Sequence, residues 1–302
     1  MSSEPAKTIA PEHDPEEIAP AAPTPDRAPR GPARAIDILI RTVYALIGWG
    51  VYAGGCLLWG ISVVPVTIVV SQFRPSIRDT FNDLTRAGLR FYIRIVPFMR
   101  VLVERPDEAL RDHGDLAPAR ILVANHQSLL DPIMLMSIEP SLSGPAKDYL
   151  FRWPGLGASL RLARFYPSQS AGRGLLDTMR AGVKQAIAQG ESVLFFPEGT
   201  RSRSGEMGSF QRGAFRMAVE HGLPIQPIVI DGIHDTLPPG VFLVRNSKRV
   251  DVRIVYLDPI EVERDVDGAR NAARDLSKRV HDQIETELGR LRAGRDHEGS
   301  GR

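Results

Sequence analysis

The chain has 302 residues with 38 Lys plus Arg against 36 Asp plus Glu, a formal charge of +2. So small an excess excludes nucleic-acid binding through global charge, and any anion-binding surface must be local. One cysteine excludes a disulfide framework and a multi-cysteine zinc site, and a mean hydropathy of −0.14 excludes a polytopic membrane protein while leaving room for one anchor.

Residues 1–34 read as a disordered tail. Eight of the chain's 24 prolines fall before residue 34, with Glu12, Asp14, Glu16 and Glu17 early and Arg27 and Arg30 late, and large apolar side chains are scarce. The segment has no basic start followed by an apolar run, so no cleaved signal peptide is expected. Residues 35–99 read as a membrane anchor. From Thr42 to Phe73 there are 32 consecutive uncharged residues. As one helix they would reach about 48 Å, longer than a hydrocarbon core of about 30 Å yet too short for two crossings. Gly48, Gly50, Gly54, Gly55, Gly60 and Pro65 offer places to bend, and arginines flank both ends (Arg34 and Arg41; Arg74 and Arg78). Two arrangements stay open: a single tilted crossing, or a monotopic hairpin with both ends on the cytoplasmic side. Residues 76–99 then read as a helix with Arg86, Arg90 and Arg94 at every fourth position, suited to an anionic membrane surface.

Beyond Met99 short β-rich runs (101–103, 121–124, 193–196, 225–230, 250–257) alternate with helical stretches near 132–138, 175–189 and 214–221. This alternation predicts an α/β domain over residues 100–294, with a mainly parallel central sheet flanked by helices. Leu276, Val280, Ile284, Leu288 and Leu291 place an amphipathic helix over 268–293, and 295–302 read as a second disordered tail.

Two polar clusters follow apolar strands, where open α/β sheets bind ligands. The first is Asn125, His126, Gln127, Ser128, Asp131 and Pro132. His126 and Asp131 are five residues apart, so a turn can set the carboxylate on one imidazole nitrogen and leave the other as a base. The alternative is a histidine capping its own loop, with Asp131 as the cap of the next helix ahead of Pro132. Ser128 lacks the G-x-S-x-G elbow of a hydrolase. The second cluster runs Pro197, Glu198, Gly199, Thr200, Arg201, Ser202, Arg203, joining a close-approach glycine to arginine forks that suit phosphate. Cys56 reads as inert packing, and His221, His234 and His281 as surface or capping residues without acidic companions at ligand spacing.

NHQSLLDP and FPEGTRSRSG, about 70 residues apart, resemble the HxxxxD and FPEGTR motifs of the glycerophospholipid acyltransferases, most closely those similar to 1-acyl-glycerol-3-phosphate acyltransferase. AKDYLFRWPGLG, with Lys147, and FQRGAFRMAVEHGLPIQPIVIDG are similar to further family segments, so the resemblance covers roughly residues 100–235. It implies acyl transfer from acyl-CoA or acyl carrier protein to a lysophospholipid hydroxyl in phospholipid biosynthesis, with His126 as general base and Asp131 orienting it. It further implies acceptor binding by Asn125, Lys147, Glu198, Gly199, Thr200 and Arg201, no metal, and no cofactor beyond the acyl thioester. The expected partners are membrane lipids, with no nucleic acid, at the cytoplasmic face of the inner (plasma) membrane. One segment departs: RFYPSQSAGR has serine near the position of the family's phosphate-holding arginine, so Arg164 or Arg173 would have to substitute. The alternatives are an amino-acid-containing lysolipid or glycerol 3-phosphate as acceptor, or a lipid-binding protein without catalysis.

Overall fold

In the computed structural model, which describes residues 32–105, 119–153, 155–168, 174–245 and 247–300, the uncharged run forms one unbroken helix, α1 (Pro32–Ser71). The helix begins inside the expected tail, whose residues 1–31 lie outside the described part. The hairpin within 42–73 does not form, because two of the glycines serve as contact points rather than bends. A Cβ on Gly60 would come within 2.6 Å of Gly155 Cα, and one on Gly48 would touch the Phe98 ring at 3.4 Å. The helix is also tied down along its length. Ser247 Oγ donates to Asp37, Arg41 to Val244 O, and Trp49 Nε1 to Phe242 O at 2.7 Å, while Tyr52 and Trp59 pack on Tyr92 and Phe81. These contacts offset the roughly 1 kcal/mol that each interior glycine costs a helix relative to alanine. The opposite face, with Leu39, Leu46, Leu57, Leu58, Ile61 and Val69, is exposed.

The hairpin lies instead between α1 and α2 (Ile77–Ile95), which pack on each other. Two of the three arginines in the α2 row are engaged within the protein, while Arg94 is exposed. Arg86 pairs with Asp83, and Arg90 Nε donates to Ser137 O at 2.7 Å; only the outward side, with Leu84 and Phe91, is apolar and exposed.

The α/β domain has a six-stranded sheet in the order β1 (Met99–Glu104), β8 (Val250–Tyr256), β7 (Ile225–Asp231), β2 (Ile121–Ala124), β6 (Ser192–Phe195), β3 (Leu142–Ser143). All pairings are parallel except β7 with β8. A separate two-stranded piece joins β4 (Pro145–Ala146) to β5 (Tyr166–Pro167). Both faces of the main sheet are covered, which explains why its strands read as continuous apolar runs. Ile121 and Val123 point into one core with helices α5 (Gly174–Ala188), α6 (Gly213–His221) and α7 (Ala269–Ser300). Leu122 and Ala124 point into the other, with α1, α2 and α3 (Asp131–Ile138). The short α4 (Leu156–Leu162) carries Leu160 and Leu162 into a third cluster with Phe81 and Phe151. Helix α7 continues past the expected end at 293, so residues 295–300 of the expected tail are helical.

Strand order positions the site. β2 and β6 are neighbours in parallel register, Val123 opposite Phe195, so the loops leaving their carboxyl ends lie side by side. Two motifs 70 residues apart in sequence thereby become adjacent in space.

Candidate active site

Asn125 leaves β2 and ties that strand to its neighbour: Nδ2 donates to Ile230 O at 2.9 Å, and Oδ1 accepts from Ile230 N at 2.8 Å. Its role is to hold the strand end on which His126 sits, rather than to face solvent. His126 Nδ1 lies 2.8 Å from Asp131 Oδ2, the contact that the five-residue spacing made possible. The same carboxylate oxygen accepts the Gln127 and Ser128 amides at 2.6 and 2.7 Å, so Asp131 caps the turn and orients the imidazole together. The orienting reading of this aspartate therefore holds, whereas its reading as the cap of the next helix does not: Leu130 is the N-cap of α3 and Asp131 its first residue. Asp131 is fully buried, and Oδ1 has no hydrogen-bond partner among the described residues. With an acceptor opposite Nδ1, the proton resides there and Nε2 is left as the basic nitrogen. The ring stacks on Phe196 with centroids 4.1 Å apart. Phe196 ends the predicted strand and opens the FPEGTR segment, and nothing in its spacing signals a platform for the histidine.

Glu198 joins the two motifs. Oε1 accepts the His126 amide at 2.8 Å and Oε2 accepts the Gly208 amide at 2.9 Å, while Ser202 N donates back to His126 O at 2.9 Å. Burial raises the Glu198 carboxyl above its usual range, and the two amide hydrogen bonds oppose that rise. Gly199 adopts φ +69°, a left-handed turn that other residues enter at a cost. Its carbonyl accepts Lys147 Nζ at 3.3 Å, which brings the lysine segment to the same loop. Thr200 is exposed, and half-buried Arg201 has no ion-pair partner among the described residues.

Arg164 is not at this site. Its guanidinium pairs with Glu191 and donates to Gln189 at 3.1 Å, at the amino end of β6 and so at the opposite end of the sheet from His126. Arg173 lies outside the described residues. Ser128 is fully buried with Oγ donating to Leu237 O at 3.0 Å, so it is structural and unavailable as a nucleophile. His281, read as lacking acidic companions, has Asp282 and Glu285 beside it on α7, but both carboxylates are exposed and the ring packs edge-on against Phe210.

A base with a buried orienting carboxylate, set beside a loop with a free arginine, is the equipment of group transfer to a hydroxyl. Residues 105–231 match the family model described as Acyltransferase. Over 212 residues the chain is 29% identical to a chloroplastic 1-acyl-sn-glycerol-3-phosphate acyltransferase of Brassica napus, covering 68% of this chain and 59% of that protein. It is 27% identical over 240 residues to a chloroplastic enzyme of the same name from Arabidopsis thaliana, covering 79% and 64%. The chain thus spans about three fifths of the length of these relatives. The fold is shared with the crystal structure of the 1-acyl-sn-glycerophosphate acyltransferase PlsC from Thermotoga maritima, at a TM-score of 0.66 and 22% identity, over 84% of this chain and 97% of that one.

Proposed function

We propose that this protein transfers an acyl group from an acyl thioester to the free hydroxyl of 1-acyl-glycerol 3-phosphate, making phosphatidate for phospholipid synthesis. The observation that carries the reading is the His126–Asp131 contact at 2.8 Å, bridged through Glu198 to the loop bearing Arg201. His126 Nε2 takes the hydroxyl proton as the acceptor oxygen attacks the thioester carbonyl, and Asp131 stabilises the imidazolium that forms. The tetrahedral intermediate expels the thiolate, the C–S bond breaks as the new ester remains, and the imidazolium returns its proton to the sulfur. Neither a covalent enzyme intermediate nor a metal is needed for this balance. Arg201, the Gly199–Thr200 backbone and Lys147 suit the acceptor's phosphate. The donor is acyl-CoA or acyl carrier protein, which share the reacting thioester.

The exposed apolar faces of α1 and α2 suit docking to a bilayer, from which both acyl chains can enter. Because α1 is bonded to the domain from Asp37 to Trp59, it fits a helix lying along a membrane surface better than one crossing it. An acceptor other than lysophosphatidate is a second reading, favoured by Arg164 being held at the far end of the sheet. A panel of lysolipids and glycerol 3-phosphate assayed against one acyl donor tests both. Lysophosphatidate giving the highest kcat/KM supports the first reading, and a zwitterionic or amino-acid-containing lysolipid outperforming it supports the second.

A further inference from the structure

Helix α7 lies beyond the stretch that matches the acyltransferase family model, yet its last turns reach the site. The reason is topological. β8 is antiparallel to β7 and ends near that strand's amino end, so a long helix starting there runs back toward the carboxyl ends of β6 and β7. Arg292 meets the FPEGTR loop at that end. One of its amino groups lies 2.9 Å from Glu206 Oε1, and the other donates to Gly205 O. The bonding continues inward. Glu206 O accepts Ser202 Oγ at 2.5 Å, and Ser202 N donates to His126 O at 2.9 Å. Arg201 is the residue just before Ser202. On its other side Arg292 faces Asp231, the buried last residue of β7, at 3.9 Å, and Arg295 reinforces that anchor at 3.2 Å.

We propose that Arg292 is a positioning residue for acyl transfer: braced on Asp231, it holds Gly205 and Glu206 and so fixes the loop segment that carries Arg201 beside His126. The proposal rests on residues 197–203 being the acceptor's phosphate-binding loop. An arginine fork satisfies a carbonyl and a carboxylate at once, which a lysine cannot do in the same geometry. The loop itself is stretched over solvent, with Glu206 exposed, and its hold on α7 replaces the packing that a buried segment would have.

The test uses the full chain with lysophosphatidate and one acyl thioester. Arg292→Ala is expected to raise KM for lysophosphatidate about tenfold while changing kcat and the thioester KM by less than about threefold, because a disordered loop weakens acceptor binding and leaves His126 in place. Arg292→Lys should fall between the two, and Glu206→Gln, at an exposed position, should shift the acceptor KM in the same direction without endangering folding. In the absence of substrate, hydrogen exchange at the Ser202 and Gly208 amides should speed up in Arg292→Ala while β2 and β7 amides keep their protection. Unchanged loop exchange overturns the proposal, as does a loss of protection spread over the whole sheet. If the wild type transfers nothing to lysophosphatidate, the functional reading fails, and the exchange measurement alone decides whether Arg292 holds the loop.

Discussion

Asp131 accepts three donors with one oxygen, so changing it disturbs the imidazole and the turn together. Asp131→Asn, with one acceptor oxygen and no charge, should lower kcat by about 10²–10⁴ in a free-thiol release assay, and His126→Ala by at least as much. Ser128→Ala should behave differently: it removes the buried hydrogen bond to Leu237 O and the longer one accepted from Leu130 N, costs about 1–2 kcal/mol in denaturant unfolding, and leaves turnover within about twofold. A total loss of turnover in Ser128→Ala would show a serine nucleophile and contradict the geometry. At this scale the sequence was readable where chemistry and spacing coincide. His126, Asp131, Glu198 and Gly199 fall within one connected network. Arg164 was misplaced because spacing along a chain does not reveal which end of a sheet a residue occupies, and its partner Glu191 carries no motif.

Helices α5 and α6 are joined by Glu220, whose carboxylate accepts two bonds from Arg180 and one from Arg216. The Arg180 hydrogen bonds chiefly lower its pKa to about 2, from an ordinary 4.5. A carboxyl depressed in the fold stabilises it above the unfolded pKa, and that contribution fades as pH falls from about 4.5 toward 2. Unfolding of the wild type should therefore become easier across this window, whereas Glu220→Gln should show a shallower acid limb and start about 1–3 kcal/mol less stable at pH 7. Equal acid limbs would mean that Glu220 is not a net contributor. The α/β pattern of these elements was legible from strand composition, because buried parallel strands are apolar throughout. The persistence of α1 was not, since Gly48 and Gly60 look like bends until Phe98 and Gly155 are seen against them. The arginine row of α2 likewise read as a membrane-facing surface, and only the tertiary contact with Ser137 shows part of it turned inward.

The whole molecule has two unlike sides: a fully covered sheet with the site at its strand ends, and an apolar outer strip on α1 and α2. Charging the strip with Leu46→Glu and Leu57→Glu, both at exposed positions, should release the protein from lipid vesicles in a flotation assay. Unfolding stability should change by no more than about 0.5 kcal/mol, since neither side chain packs on the domain. Retained flotation would contradict docking through this face. The near-neutral net charge conceals this separation of an uncharged helix from arginine-bearing loops. Whether His126 drives acyl transfer to lysophosphatidate is decided by incubating the purified full chain with an acyl thioester and lysophosphatidate and quantifying free thiol and phosphatidate together. Equal amounts of the two products are expected, formed only when the acceptor is present and reduced by at least about 10²-fold in His126→Ala. Thiol release without phosphatidate, or equal rates in mutant and wild type, would contradict acyl transfer driven by His126.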